Sequence, residues 1–142
     1  MSELSPAEIL SRYHGAMRAK APDQLADLYA EDAVHELPFD HTPDGILRGR
    51  AAVRARYAAA WSVAPVEVRD ITNVKLHQTV EPDLVVAEQD LELTNTTNGH
   101  HFVAATVLVM RVRNGEIVHM RDYTDNLTIA TELGRMPLGA EG

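Results

Sequence analysis

The chain has 142 residues, no cysteine and a formal net charge of −8, which excludes disulfide support, a thiolate nucleophile and thiolate metal sites. The negative balance makes nucleic acid and anionic membranes poor partners, because both are held by clustered Lys and Arg, and no apolar run is long enough to span a bilayer. With 45% hydrophobic and 24% charged residues, the composition predicts one globular domain over residues 1–142, its core at about 5–134 and its C-terminal tail flexible. Met1 to Pro6 carries neither a basic nor an apolar leader segment, so the expected location is cytoplasmic.

Ser5-Pro6-Ala7-Glu8 reads as a capping box with proline at the first helical position. In the helix that follows, Ile9, Tyr13, Ala16 and Met17 recur at helical spacing, which turns the Tyr13 ring inward. Pro22 opens a second short helix with Leu25, Leu28 and Tyr29 on its buried side. A brief strand is expected from Ala33 to Phe39, ending in a loop rich in Pro, Asp and Gly through Gly45. A third helix covers roughly Arg50 to Trp61, with Val53, Tyr57 and Trp61 spaced along its apolar face.

After Pro65 the pattern changes to alternation. Glu81-Pro82-Asp83, Asn98-Gly99 and Asn114-Gly115 are turn signals that divide this half into four strands joined as a meander. In the second of these strands Val85, Ala87, Gln89, Leu91 and Leu93 share one face. A final amphipathic turn or two, Leu127 to Leu133, stops at Gly134, and the residues from Pro137 onward read as a frayed tail. Helices first and a long antiparallel sheet second make an α+β domain.

The stretch from Asn114 to Asp125 carries the chemistry. Alternation puts Val118, Met120 and Asp122 on one face and Ile117, His119, Arg121 and Tyr123 on the other. Asp122 thus extends an apolar row, either as a solvated cap at the sheet rim or as a carboxylate in a partly dry cavity where its proton affinity is raised. His35 shares a face with Leu37. His35, Glu36, Asp40 and His41 are metal-binding residue types, but Glu36 points away from His35 and no His-Glu-x-x-His spacing occurs, so no metal site is expected. No Gly-rich phosphate loop follows a strand, and no cofactor is implied.

Ser11-Arg12-Tyr13, Leu28 to Ala33 and Gly49 to Val53, in this order of elements, resemble the nuclear-transport-factor-2-like superfamily. The resemblance implies a cone-shaped, strongly curved, mainly antiparallel sheet packed on three N-terminal helices, with His35 toward the cavity. Gly115-Glu116-Ile117 followed by Arg121-Asp122-Tyr123-Thr124-Asp125 is similar to the SnoaL-like polyketide cyclases, in which the aspartate matching Asp122 acts as acid/base. The partner histidine of that family falls at Leu108. Ketosteroid isomerase is similar in its first forty residues, where Tyr13 matches an oxyanion-hole tyrosine. Its proton-shuttling aspartate falls at Leu37 and its second acid at or beside Leu108, so steroid isomerisation is not expected.

The resemblance and the residues together imply a cofactor-independent acid/base enzyme of cyclase, isomerase or hydrolase type acting on an apolar oxygenated small molecule. The alternative is a non-catalytic ligand-binding or dimerisation domain of the same fold. The candidate catalytic groups are Asp122, His35 and Tyr13, and the candidate substrate-binding residues are Met17, Leu37, Phe39, Trp61, Leu108 and Met120. A homodimer is expected, because helices on one sheet face leave the other, with Val86, Val103 and Val107, in need of cover.

Overall fold

The computed structural model describes residues 3–40 and 45–134, so the frayed tail expected from Pro137, and His41, Pro43 and Asp44, lie outside the described residues. Helix α1 (Pro6–Ala19) starts at the capping box: Ser5 Oγ accepts from the Glu8 amide at 3.2 Å, and the Glu8 carboxylate accepts from the Ser5 amide at 3.1 Å. Two otherwise orphaned amides are thereby satisfied. Its inward stripe is Ile9, Leu10, Tyr13 and Ala16, and it ends at Lys20 in the left-handed conformation. Helix α2 (Pro22–Ala26) has proline in its first turn.

Strand β1 (Tyr29–Glu36) differs from the expected span at both ends. Tyr29 belongs to the strand rather than to the preceding helix, because it pairs in parallel with Ile117, and that tertiary partner outweighs the helical spacing of its side chain. The strand stops at Glu36, just ahead of Pro38, which cannot donate to a ladder. A short strand not anticipated from the sequence, β2 (Ile46–Arg48), returns antiparallel against β1. Helix α3 (Arg50–Val63) follows Gly49, whose φ of +95° favours glycine and where a Cβ would lie 3.3 Å from the Glu31 carbonyl oxygen.

The meander consists of β3 (Val66–Gln78), β4 (Leu84–Asn95), β5 (His101–Arg113) and β6 (Glu116–Thr124), followed by α4 (Asn126–Glu132). The six strands form one curved, unclosed sheet in the order β2-β1-β6-β5-β4-β3, parallel only between β1 and β6. Its inner face carries Val85, Ala87, Leu108, Met110 and Met120, packed on α1, α2 and α3.

Strict alternation fails once in β6. Val112 of β5 pairs with Ile117 and Arg111 pairs with His119, so Val118 is an extra residue. Such a bulge resets the parity of the strand. Ile117 is therefore fully buried together with Met120, and Val118 is only partly so. This corrects the expectation that Ile117 lies opposite Met120 and Asp122.

Candidate active site

Beyond the bulge, β6 carries Asp122 on the inner face, across from Leu108 of β5. Its side chain accepts the Thr124 hydroxyl proton at 2.5 Å on one oxygen and faces the Tyr57 hydroxyl at 3.5 Å on the other. Asp122 is 8% exposed. Burial raises its pKa to about 6, against the opposing pull of the Thr124 and Tyr57 hydrogen bonds. The rim-capping role that the sequence left open for it is taken by Asp125, whose carboxylate accepts from the Thr128 amide at 3.0 Å at the start of α4.

His35 stands in β1 with no exposed surface. Its Nδ1 lies 2.8 Å from the Tyr29 hydroxyl and its Nε2 lies 3.2 Å from the Tyr57 hydroxyl. Burial, then the charges of Arg56 and His119, lower its pKa to about 4, so the ring is neutral at pH 7. A neutral imidazole has one donor and one acceptor nitrogen. With Tyr57 donating toward the carboxylate, the consistent tautomer has Nε2–H donating to Tyr57 and Nδ1 accepting from Tyr29. The result is one polarised run, from Tyr29 through His35 and Tyr57 to Asp122.

Tyr13 from α1 lies beside this run, and its hydroxyl has no hydrogen-bond partner of good geometry although Tyr29 and Tyr57 are close enough to influence it. Burial drives all three phenols well above their ordinary pKa, assisted by neighbouring phenols and by Asp122. Each therefore remains a proton donor at neutral pH. An unpaired buried hydroxyl is costly to a fold, and Tyr13 is the one phenol of the cluster with its donor uncommitted.

Asp122 and Tyr57 line a cavity of about 290 Å³ between α1, α3, α4 and the inner face of the sheet. Met17, Leu37, Trp61, Leu91 and Leu93 make its apolar wall, and Thr124, Arg56 and Lys20 are among its polar lining. A second groove, of about 750 Å³, lies on the outer side, between Phe39, Val107, Tyr123 and Leu127. Its one carboxylate, Asp125, is engaged in capping α4.

Of the residues predicted from sequence, Met17, Leu37, Trp61 and Asp122 line the inner cavity, and His35 and Tyr13 stand behind Tyr57. Three expected wall residues do not reach it. Phe39 is 59% exposed and stacks edge-on against Tyr123 in the outer groove, because the chain leaves β1 before Pro38. Leu108 and Met120 are packed into the core beneath the helices. Sequence reasoning missed Tyr57 and Tyr29 as members of the polar cluster, and Thr124 as the donor to Asp122. The Asp-x-Thr spacing on one strand face was a usable signal for Thr124, and the phenol of Tyr57 on an otherwise apolar helix stripe was another.

Among the described residues no three His, Asp or Glu side chains converge to hold a metal ion. His35 is engaged through both ring nitrogens, and Glu36 pairs with His119 at 2.5 Å.

The profile of the SnoaL-like domain matches residues 10–120. A provisionally assigned isomerase from Bacillus subtilis is similar in structure, with a TM-score of 0.81 and 22% identity over 93% of this chain and 94% of that one. A provisionally assigned polyketide cyclase from Xanthomonas campestris pv. campestris has a TM-score of 0.71 and 20% identity over 89% and 95%. A protein of ketosteroid isomerase-like fold from Catenulispora acidiphila, in complex with trimethylamine, has a TM-score of 0.73 and 21% identity over 94% and 96%. At these identities the three likenesses speak for the fold. No curated protein matches the sequence.

Proposed function

We propose, since this chain belongs to the SnoaL-like domain family, that it is a cofactor-independent acid/base enzyme acting on an apolar oxygenated small molecule bound in the inner cavity. The observation that carries this reading is a buried carboxylate facing an apolar cavity beside a phenol donor. With a pKa near 6, Asp122 is mostly ionised at pH 7 yet more basic than an ordinary aspartate, which suits proton abstraction next to a carbonyl.

The C–H proton passes to Asp122, and the electron pair of that bond moves onto the carbonyl oxygen. Once protonated, Asp122 no longer draws the Tyr57 proton, and the Tyr57 hydroxyl is released to donate to the developing oxyanion. Tyr13 supplies a second, uncommitted donor behind it. His35 touches neither substrate nor reacting atoms and acts as a positioning residue, because its neutral ring fixes the Tyr57 hydroxyl by Nε2–H. Return of the proton from Asp122 to a different carbon gives isomerisation, and attack of the enolate carbon on a second carbonyl closes a ring.

Deuterium exchange next to the carbonyl of cyclic ketones and polyketide-like esters, followed by NMR in heavy water, tests the reading. Asp122→Asn should lower the exchange rate by roughly 10²–10⁴-fold. Exchange that continues undiminished in that variant would exclude Asp122 as the base.

A further inference from the structure

The inner cavity has a direction. On α1, Tyr13 and Met17 and then the cap residue Lys20 follow one another at four- and three-residue spacing, leading from the buried hydroxyl cluster to the cavity lining. On α3, Tyr57, Trp61 and Ala64 repeat the same progression, and Ala64 ends that helix as Lys20 ends α1. At about 1.5 Å of rise per residue, seven residues separate the Tyr13 level from the Lys20 level by about 10 Å. The space between is apolar, with Met17, Trp61 and Leu91 around it.

The charges along this axis run against those of the whole protein. In a chain of net charge −8, the titratable groups lining the cavity other than Tyr57 are two cations, Lys20 and Arg56, and one carboxylate, Asp122. Arg56 is committed to Asp40 at 2.6 Å. The Lys20 side chain has no hydrogen-bond or ion-pair partner among the described residues. Glu132 of α4 pairs with His100 at 2.6 Å and accepts from Asn95, and Asp70 of β3 pairs with Arg18 of α1 at 3.5 Å.

Resting on the reading of this cavity as a substrate site, we infer that the substrate is an apolar ring ketone carrying a carboxylate at the end remote from the reacting carbonyl, and that Lys20 holds that carboxylate. At about 30 Å³ for each water, a cavity of about 290 Å³ holds roughly ten waters. That volume fits one or two rings and leaves the charged substituent at the Lys20 end. A lysine ammonium suits this task as a point charge on a flexible stem that adapts to the position of the anion.

The experiment is calorimetric titration with 6-hydroxy-2-naphthoate and with its methyl ester, which differ at the end expected to meet Lys20 and share the hydroxyl expected to meet Tyr57 and Asp122. The acid should bind roughly five-fold tighter at low salt, the advantage of one partly exposed ion pair. In Lys20→Met that advantage should vanish while the ester keeps its affinity. Lys20→Asn, which tolerates the left-handed backbone of this position, should behave alike and guards against a folding artefact. An ester that binds as tightly as the acid to the unaltered protein, or an acid advantage that survives both substitutions, would overturn the assignment of Lys20. If ester binding still weakens in Tyr57→Phe, the Asp122 and Tyr57 end stands on its own; if neither probe binds, both readings fall.

Discussion

Replacing Asp122 by Asn separates the catalytic role of the carboxylate from its effect on the fold, and the two should move in opposite directions. The native carboxyl has a pKa near 6, against 3.8 for the ordinary group, so the folded state holds this proton more tightly than the unfolded chain. Between about pH 4 and pH 6 the native state binds more protons, and stability from this group therefore falls as pH rises. Below that window the protonated carboxyl has no such penalty; above it the folded protein carries the full burden of a buried charge. At about 1.36 kcal/mol per tenfold change in proton affinity, the burden approaches about 3 kcal/mol. Asn is neutral at every pH and keeps an oxygen to accept from Thr124. Urea unfolding should therefore find Asp122→Asn about 1–3 kcal/mol more stable than the unaltered protein at pH 7.5 and nearly equal to it at pH 4. His35 titrates in the opposite sense. Its native pKa is about 4 against 6.5, so the unfolded chain binds more protons between those values and stability falls as pH drops through them. The two windows overlap and nearly cancel, which makes the parent protein a poor reporter and the difference between parent and variant the quantity to measure. A variant that is less stable by the same amount at pH 4 and pH 7.5 would refute the view that Asp122 is held in an environment hostile to its charge.

Three further outcomes follow from the same geometry. Tyr57→Phe removes the donor facing Asp122 and leaves His35 Nε2 unpaired; it should cost about 1–3 kcal/mol in urea unfolding and lower turnover roughly 10²-fold, and an unchanged rate would remove Tyr57 from the site. Tyr13→Phe deletes a hydroxyl without a partner of good geometry, so denaturant midpoints should stay level or rise while affinity for phenolic ligands falls, and a loss of more than about 2 kcal/mol in stability would reveal a hidden bond. The outer sheet face, where Val103 is 51% exposed, is expected to be covered by a second copy of the chain; sedimentation should give a dimer at micromolar concentration and a monomer for Val103→Asp, and a monomeric parent protein would contradict this.

Several elements were legible from local chemistry alone. The capping box at Ser5 and Glu8 and the helical spacing of Ile9, Tyr13 and Ala16 define α1, because caps and periodicity are set within a few residues. Asn114-Gly115, with φ of 53° and 73°, and the other two turn signals place the meander, since a tight hairpin needs residues that accept positive φ. Alternation also put Asp122 on the face of Met120 and His35 on the face of Leu37, but which face turns inward came for His35 from the family resemblance and stayed open for Asp122. What the sequence could not settle was everything depending on a distant partner. Tyr29 becomes a strand residue because it pairs with Ile117, and the Val118 bulge shows only in the register of β6 against β5. Leu108 and Met120 share the sheet face of Asp122 yet lie in the core, because the helices cover that part of the face and leave the cavity elsewhere. Tyr57 meets His35 across 22 residues and Asp122 across 65. Such contacts are fixed by the docking of α3 on the sheet and by strand register, and side-chain periodicity carries no information about either.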